Sequence, residues 1–476
     1  MEMSELEKIV YDAKPELEML VHTNGDKSYP DYLKERILSL HVLNNEHTPI
    51  FWKAYEKMIR KFFDTRMYLE TKDELAKNFF ASTADHGGPL CHPFFSNAFC
   101  ARADIVKKQN KELVFTLPCS SISLDNSSFP RGLFFHDENL QPIRLPIKSL
   151  FGQHSSVYAT TPYTHADIRS IQEKIPSLML SAQRKHVLLN LITNIYDSPE
   201  QYTCATYDEQ MVRANWKLTK HLQGYEHIEY ISFSQELFVR ELIQSGSDTI
   251  PPLSDILYNK LVQNEYIYHF ADIIGAHTKD NKKGTHLFWG LTNKGVRVQL
   301  QIGEHGWYTS NGILFVQRTR EAIHTALKNN ELYPSMSLCF IVLSFVHGIT
   351  VGGGFSQINY LGDMKKAYTA MEKKFNWPRR EIPQTNIFTG EYVGHVLEKG
   401  GTKISATLID VILYQSEHTV LEWESSLSQT SLRENVYAMM PEYYKIITGK
   451  QLSEEEKAHF PLPPATLHIP SENDNK

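Results

Sequence analysis

The chain has no Cys-x-x-Cys pair, no Gly-x-Gly-x-x-Gly run and no glycine loop ending in Gly-Lys-Ser/Thr. A zinc ribbon, the dinucleotide fingerprint and a P-loop are therefore not indicated. Five cysteines (Cys91, Cys100, Cys119, Cys204, Cys339) are few and odd in 476 residues, so reduced thiols in a cytoplasm are expected rather than a disulfide framework. A long basic block is also missing. With a net charge of -6, and with Lys365-Lys366 and Lys373-Lys374 reading as the solvated face of a helix, neither nucleic acid nor a membrane is an expected partner. The longest apolar run, Leu338 to Val346, is about half a membrane span, and Glu2, Glu5 and Glu7 stand where a signal peptide would carry lysine.

What remains is a chain with 41% hydrophobic and 22% charged residues, long enough for two or three structural units. Apolar residues at three-to-four spacing, such as Phe51, Tyr55, Met58, Ile59 and Phe62, predict two or three helices over residues 1–75. From Phe79 onward short apolar runs end in Gly, Pro, Ser or Asn, the texture of strands feeding loops. Leu113 to Leu117 is the clearest strand, stopped by Pro118, and Ile228 to Phe233 is another. Asp208, Ser234, Thr319 and Asp363 are expected to begin helices, and Ser431 and Ser453 each stand three residues before a glutamate, as in a capping box. Leu287 to Leu291 and Val296 to Ile302 flank Thr292-Asn293-Lys294-Gly295, which predicts a hairpin.

Helix, strand and helix in short order point to an α/β protein with an N-terminal helical region and a smaller inserted or appended α+β part. The expected divisions are 1–75 helical, 76–365 an α/β core with an inserted hairpin part near 280–305, 366–460 a C-terminal α/β part, and 461–476 a disordered tail rich in proline and polar residues.

Three loops can carry chemistry. Asp85-His86-Gly87-Gly88-Pro89-Leu90-Cys91-His92-Pro93 combines two imidazoles, a carboxylate and a thiol with residues that bend and stiffen a turn. His86 and His92 are candidate acids or bases beside Asp85, because an imidazole titrates near neutrality. Cys91 reads as a buried, inert thiol, since sequence neighbours seldom form the hydrogen bond that would activate it. The second loop follows the strand at 113–117. Ser120, Ser121 and Asn126 offer hydrogen bonds and Arg131 a bidentate fork for an anion, although such residues also fill loops by bonding their own backbone. In the third, Gly352, Gly353 and Gly354, followed by Gln357, either cradle an anion with backbone amides or simply reverse the chain.

Two of these segments resemble the bacillithiol-biosynthesis cysteine-adding enzyme family. Thr83-Ala84-Asp85-His86, then Gly88-Pro89-Leu90-Cys91, is similar to that family's Thr-Gly-Gln-Gln segment and the Gly-Pro-Leu-Tyr after it. Val351-Gly352-Gly353-Gly354, followed by Ile358-Asn359-Tyr360, is similar to its late Val-Gly-Gly-Pro-Gly-Glu-Ile-Ala-Tyr, and the order agrees. The resemblance implies a Rossmann-like layered core with a smaller inserted domain and a ligase-like reaction. The chain departs from the family where Gln-Gln is Asp85-His86, where the spacer before Gly88 is shorter, where Cys119 to Asn126 replaces an Asp-His-Asp segment, and in lacking a long coiled coil. Cysteine as substrate is therefore not carried over.

The leading expectation is a cytoplasmic ligase- or transferase-like enzyme that holds a small polar or anionic metabolite between the three loops. A metal-dependent hydrolase built on His86, His92 and Asp85, with His136 or His347 completing the ligands, is the alternative. A non-catalytic ligand-binding or interaction protein is the third reading. No residue pattern assigns a cofactor, a metal or an oligomeric state.

Overall fold

The computed structural model describes residues 3–38, 48–149, 155–280, 283–293, 295–379, 381–457, 460 and 466–469. The protein is 51% helical and 15% strand, a mixed helix-and-sheet architecture compatible with the α/β class. Its centre is a five-stranded sheet in the order Ile387–Phe388, Thr350–Gly353, Phe80–Ser82, Leu113–Thr116, Glu229–Ser232. All four pairings are parallel. Chain order runs outward from Phe80–Ser82 in one direction, then returns to its other side at Thr350–Gly353.

Side chains alternate across these short strands, and the alternation assigns them to two apolar cores. Val114 and Tyr230 enter a core with Ala98, Phe99, Met211 and Tyr443, whereas Ala81, Phe115, Ile231 and Val351 enter another with Phe51, Phe238, Leu343 and Leu361. The sheet is thus apolar on both faces, as parallel sheets are when helices cover both. A second, antiparallel sheet contains the expected hairpin, Phe288–Leu291 against Arg297–Ile302, and extends it to Leu332–Pro334 on one side and to Gly306–Thr309 and Leu314–Gln317 on the other. Among the described residues no helix is long and apolar enough to cross a membrane.

Several expectations need correction. Among the described residues the N-terminal region holds five helices, not two or three: Met3–Ala13, Pro15–Asn24, Tyr29–Leu38, Thr48–Phe62 and Thr65–Asn78. Pro15 starts the second at its first position, and the Asp64 carboxylate caps the last by accepting from the Met67 amide at 3.0 Å. Asp208 is not a cap. Thr206 caps Tyr207–Thr219, leaving the Asp208 carboxylate free for other loops. Asp363 lies inside Gln357–Phe375, which begins six residues earlier and runs through residue 365, so the boundary expected there falls within one element. Ser234, Thr319 and Ser431 do cap helices, and Ser431 forms a full capping box. Within the tail expected to be disordered, Thr466–His468 pairs in parallel with Val396–Glu398. Residues 461–465 and 470–476 lie outside the described residues.

One buried amide joins the elements around the sheet. Asn97, 1% exposed on helix Pro93–Lys108, donates to the Pro93 and Ala406 carbonyls and accepts from the His395 amide at 2.7 Å. Asn97→Leu should leave those groups unpaired and lower stability by about 2–4 kcal/mol, measurable by urea unfolding.

Candidate functional site at the carboxyl edge of the sheet

All five parallel strands end on one edge, and the three loops read from the sequence leave from it. They interlock through the backbone. The Cys119 amide donates to the Asp85 carbonyl and the Gly87 amide to the Cys119 carbonyl. On the other side the Thr83 amide donates to the Gly352 carbonyl at 2.7 Å, the Thr83 hydroxyl donates to the same carbonyl, and the Gln357 amide donates to that hydroxyl at 2.6 Å. A side chain on Gly87 would collide with Ser120, and one on Gly88, at φ 111°, with Pro130. Here the glycines permit close loop packing.

Asp85 turns away from the two histidines. Its carboxylate is buried against Arg102, which donates from Nη2 at 3.1 Å, and accepts from the Tyr230 hydroxyl at 3.1 Å. His86, partly buried, shares a 3.0 Å hydrogen bond between Nδ1 and the Ser128 hydroxyl, and Asn126 holds Ser128 by accepting from its amide and hydroxyl. His86 and His92 both lie against the Phe95 ring, with centroids 4.9 and 5.0 Å away. Burial depresses the two imidazoles to about 4 and about 3, so both are neutral at pH 7. They do not titrate near neutrality as the sequence alone suggests.

The hydroxyl loop is mostly engaged in holding itself. Ser120 donates its hydroxyl to Asp208 at 2.7 Å, and the Ser234 hydroxyl donates to the other Asp208 oxygen. The Ser120 and Ser121 amides both donate to Glu236, at 2.9 and 2.7 Å, while Arg297 of the antiparallel sheet donates to the Ser121 carbonyl. Burial pushes Glu236 up to about 7 despite these amides. Arg131 lies over the Phe129 ring, as does Arg144, and neither guanidinium makes a hydrogen bond or ion pair among the described residues. Arg131 makes no hydrogen bond to the glycine turn among the described residues. It forms an outer rim with Arg144. Cys91 is buried and its thiol is pushed up to about 12, in keeping with an inert role.

Glu391 was not singled out from the sequence. It follows the two-residue strand Ile387–Phe388, too short to register as a periodic run, and adopts a left-handed φ of 45°. One of its oxygens accepts from the Phe355 amide at 3.0 Å, and a side chain on Gly354 would strike the same carboxylate. Burial, with Asp85 adding to it, pushes Glu391 up to about 7. Of the groups at this edge, Glu391 has the titration and the partial exposure best matched to moving a proton at neutral pH.

The residues expected to ligate a metal do not assemble. Asp85 faces Arg102, His136 bonds Asp410 at 2.7 Å, and His347 bonds Ser247 in the other core. Among the described residues no group of three or more His, Cys, Asp or Glu could hold a metal ion. An apolar cleft lined by Leu33, Ile37, Phe80, Arg102, Val106 and Leu113 lies where the strands begin, at the opposite edge.

The sequence matches no protein-family model and has no significant match among curated proteins.

Two outcomes follow from this geometry. Arg102→Met should leave the Asp85 carboxylate buried without its cation and cost about 3–5 kcal/mol in urea unfolding. Glu391 is protonated more readily in the folded than in the unfolded chain, so stability should fall as pH rises from about 4.5 through about 7 and stay lowered above it. Glu391→Gln should remove up to about 3 kcal/mol of that fall, seen by comparing unfolding of the two proteins at pH 4.5 and pH 8.

Proposed function

We propose that the chain is a cytoplasmic enzyme of ligase or transferase type that binds a small anionic metabolite at the carboxyl edge of a Rossmann-like layered core. The observation that carries this reading is the strand order. Between Phe80–Ser82 and Thr350–Gly353 the chain direction across the sheet reverses, and ligands of open parallel sheets bind in the crevice that such a reversal opens beyond the strand ends. Both segments that resemble the cysteine-adding family leave from these two neighbouring strands. Their adjacency supports the resemblance beyond its few residues.

In this reading Arg131 and Arg144 draw an anion to the rim, stacked guanidinium groups keeping their donors free. Neutral His86 and His92 orient the metabolite by hydrogen bonds. Glu391 accepts or returns the proton that group transfer requires, and the missing side chain at Gly354 leaves room beside it. Five buried, unpaired cysteines suit a reducing compartment.

The test is a thermal-shift panel of sugar phosphates, nucleoside phosphates and hydroxy acids on the full chain, with native mass spectrometry of the purified protein. At least one compound should raise Tm by several degrees, less so in Arg131→Ala and not at all in Gly354→Val. A panel without any shift, or one unaltered by both substitutions, would refute the reading. Turnover that survives Glu391→Gln unchanged would leave a binding site with a different proton carrier.

A further inference from the structure

Two guanidinium groups meet on one phenyl ring beside the histidine loop. The guanidinium carbon of Arg131 lies 5.2 Å from the Phe129 ring centroid, and that of Arg144 lies 5.6 Å from the same centroid. Their separation therefore cannot exceed the sum of those two distances. The hairpin explains the meeting. Arg144 stands directly opposite Phe134 in the pairing of Pro142–Pro146 with Gly132–His136, and it also stacks on the Phe134 ring at 5.3 Å. Arg131 immediately precedes the same hairpin.

No carboxylate neutralises the two charges. The acidic residues between Cys119 and Ser149 are Asp125, Asp137 and Glu138. Asp137 accepts from the Asn139 and Gln141 amides of its own turn, and Glu138 pairs with Arg184. Asp125 makes no ion pair with either arginine. Asp410, which reaches the hairpin from helix Leu408–Tyr414, is held by His136 and by the Thr407 amide.

Stacking on an aromatic face leaves the in-plane N–H donors of a guanidinium free for an oxyanion. Arg144 is exposed and Arg131 half-buried, so solvent and solutes reach both. A ligand with one negative charge would match only one of these cations. Two neighbouring cations without partners match a ligand that carries two. The pair also adjoins the candidate site. Ser128, next to Phe129, bonds His86 at 3.0 Å, and Pro130 packs so closely on Gly88 that a side chain there would lie 2.4 Å from its carbonyl oxygen.

We propose that Arg131 and Arg144 act together as a clamp for a dianion, so that the metabolite of the carboxyl edge is a phosphate monoester or a dicarboxylate. This deepens the reading of that edge as a ligand site and rests on it. The clamp holds the charge at the rim and leaves the uncharged remainder of the molecule to the histidine loop.

Calorimetric titration of the full chain at pH 8 and fixed ionic strength tests the clamp with two matched pairs of probes, methyl phosphate against dimethyl phosphate and succinate against butyrate. Only the first member of each pair is a dianion, a phosphate monoester having its second pKa at about 6. One dianion at least should saturate a single site about tenfold or more tightly than its partner, and the pair with the larger ratio assigns the ligand to a phosphoryl or a dicarboxylate compound. Arg131→Met and Arg144→Met should each reduce that ratio to about twofold or less and leave the ligand-free Tm unchanged, since neither guanidinium has an ion pair to lose. Failure of both dianions to bind, equal affinity for dianion and monoanion, or a preference that survives either substitution would overturn the clamp. So would a single-stranded RNA oligomer that binds through the same arginines more tightly than either dianion, because the face would then serve a polyanion. Monoanions from the metabolite panel that bind while both dianions fail remove the clamp alone. Dianion binding that needs both arginines but is unchanged by Gly354→Val removes the reading of the carboxyl edge and leaves the clamp standing.

Discussion

The seam between Phe80–Ser82 and Thr350–Gly353 is the constraint from which the site follows. Thr83 and Gly352, 269 residues apart, are joined by two hydrogen bonds to one carbonyl, and Gln357 locks the Thr83 hydroxyl that makes the second. Without this seam the histidine loop and the glycine turn belong to separate parts of the chain. With it they become adjacent walls, and the short strand Ile387–Phe388 can pair with Thr350–Gly353 and bring Glu391 into place. The polar chemistry of the edge is thus a consequence of backbone pairing between residues that are mostly small.

Four carboxylates lie at or near this edge, and each meets the cost of burial differently. Asp85 has a cation and a phenol, Asp208 two hydroxyls, Glu236 two backbone amides. Glu391 has one amide. The first three tie loops together and are fully enclosed, which makes them parts of the scaffold even though carboxylates invite catalytic readings. The least satisfied of the four is also the one that remains partly exposed.

Much of the local structure is legible in the sequence because short-range chemistry dictates it. Pro118 must end a strand, and Ser234 and Ser431 find helix amides within their own first turn. Three polar loops beside apolar strands can be recognised as neighbours of a site for the same reason. What their side chains do is not legible. Ser120, Asn126 and Gln357 look available on paper, yet each bonds another side chain, and Asp208 looks like a cap until Thr206 takes that position. Arg102 sits mid-helix in a stretch that is buried almost throughout, and only tertiary packing brings Asp85 to it. Burial also reverses the expected ranking of acids and bases, lowering both histidines and raising a glutamate that sequence periodicity does not mark.

The seam also imposes an order in time. As the chain is synthesised, Phe80–Ser82, Leu113–Thr116 and Glu229–Ser232 are available to pair early, while the other side of Phe80–Ser82 must wait for Thr350–Gly353. At about 5–20 residues per second that wait lasts on the order of 10–50 s, with an unpaired sheet edge facing the cell. Open edges recruit foreign strands, and a length of three residues offers such a strand little to grip. The brevity of the central strand, which weakens it as a local element, protects the nascent protein during the interval before its partner exists.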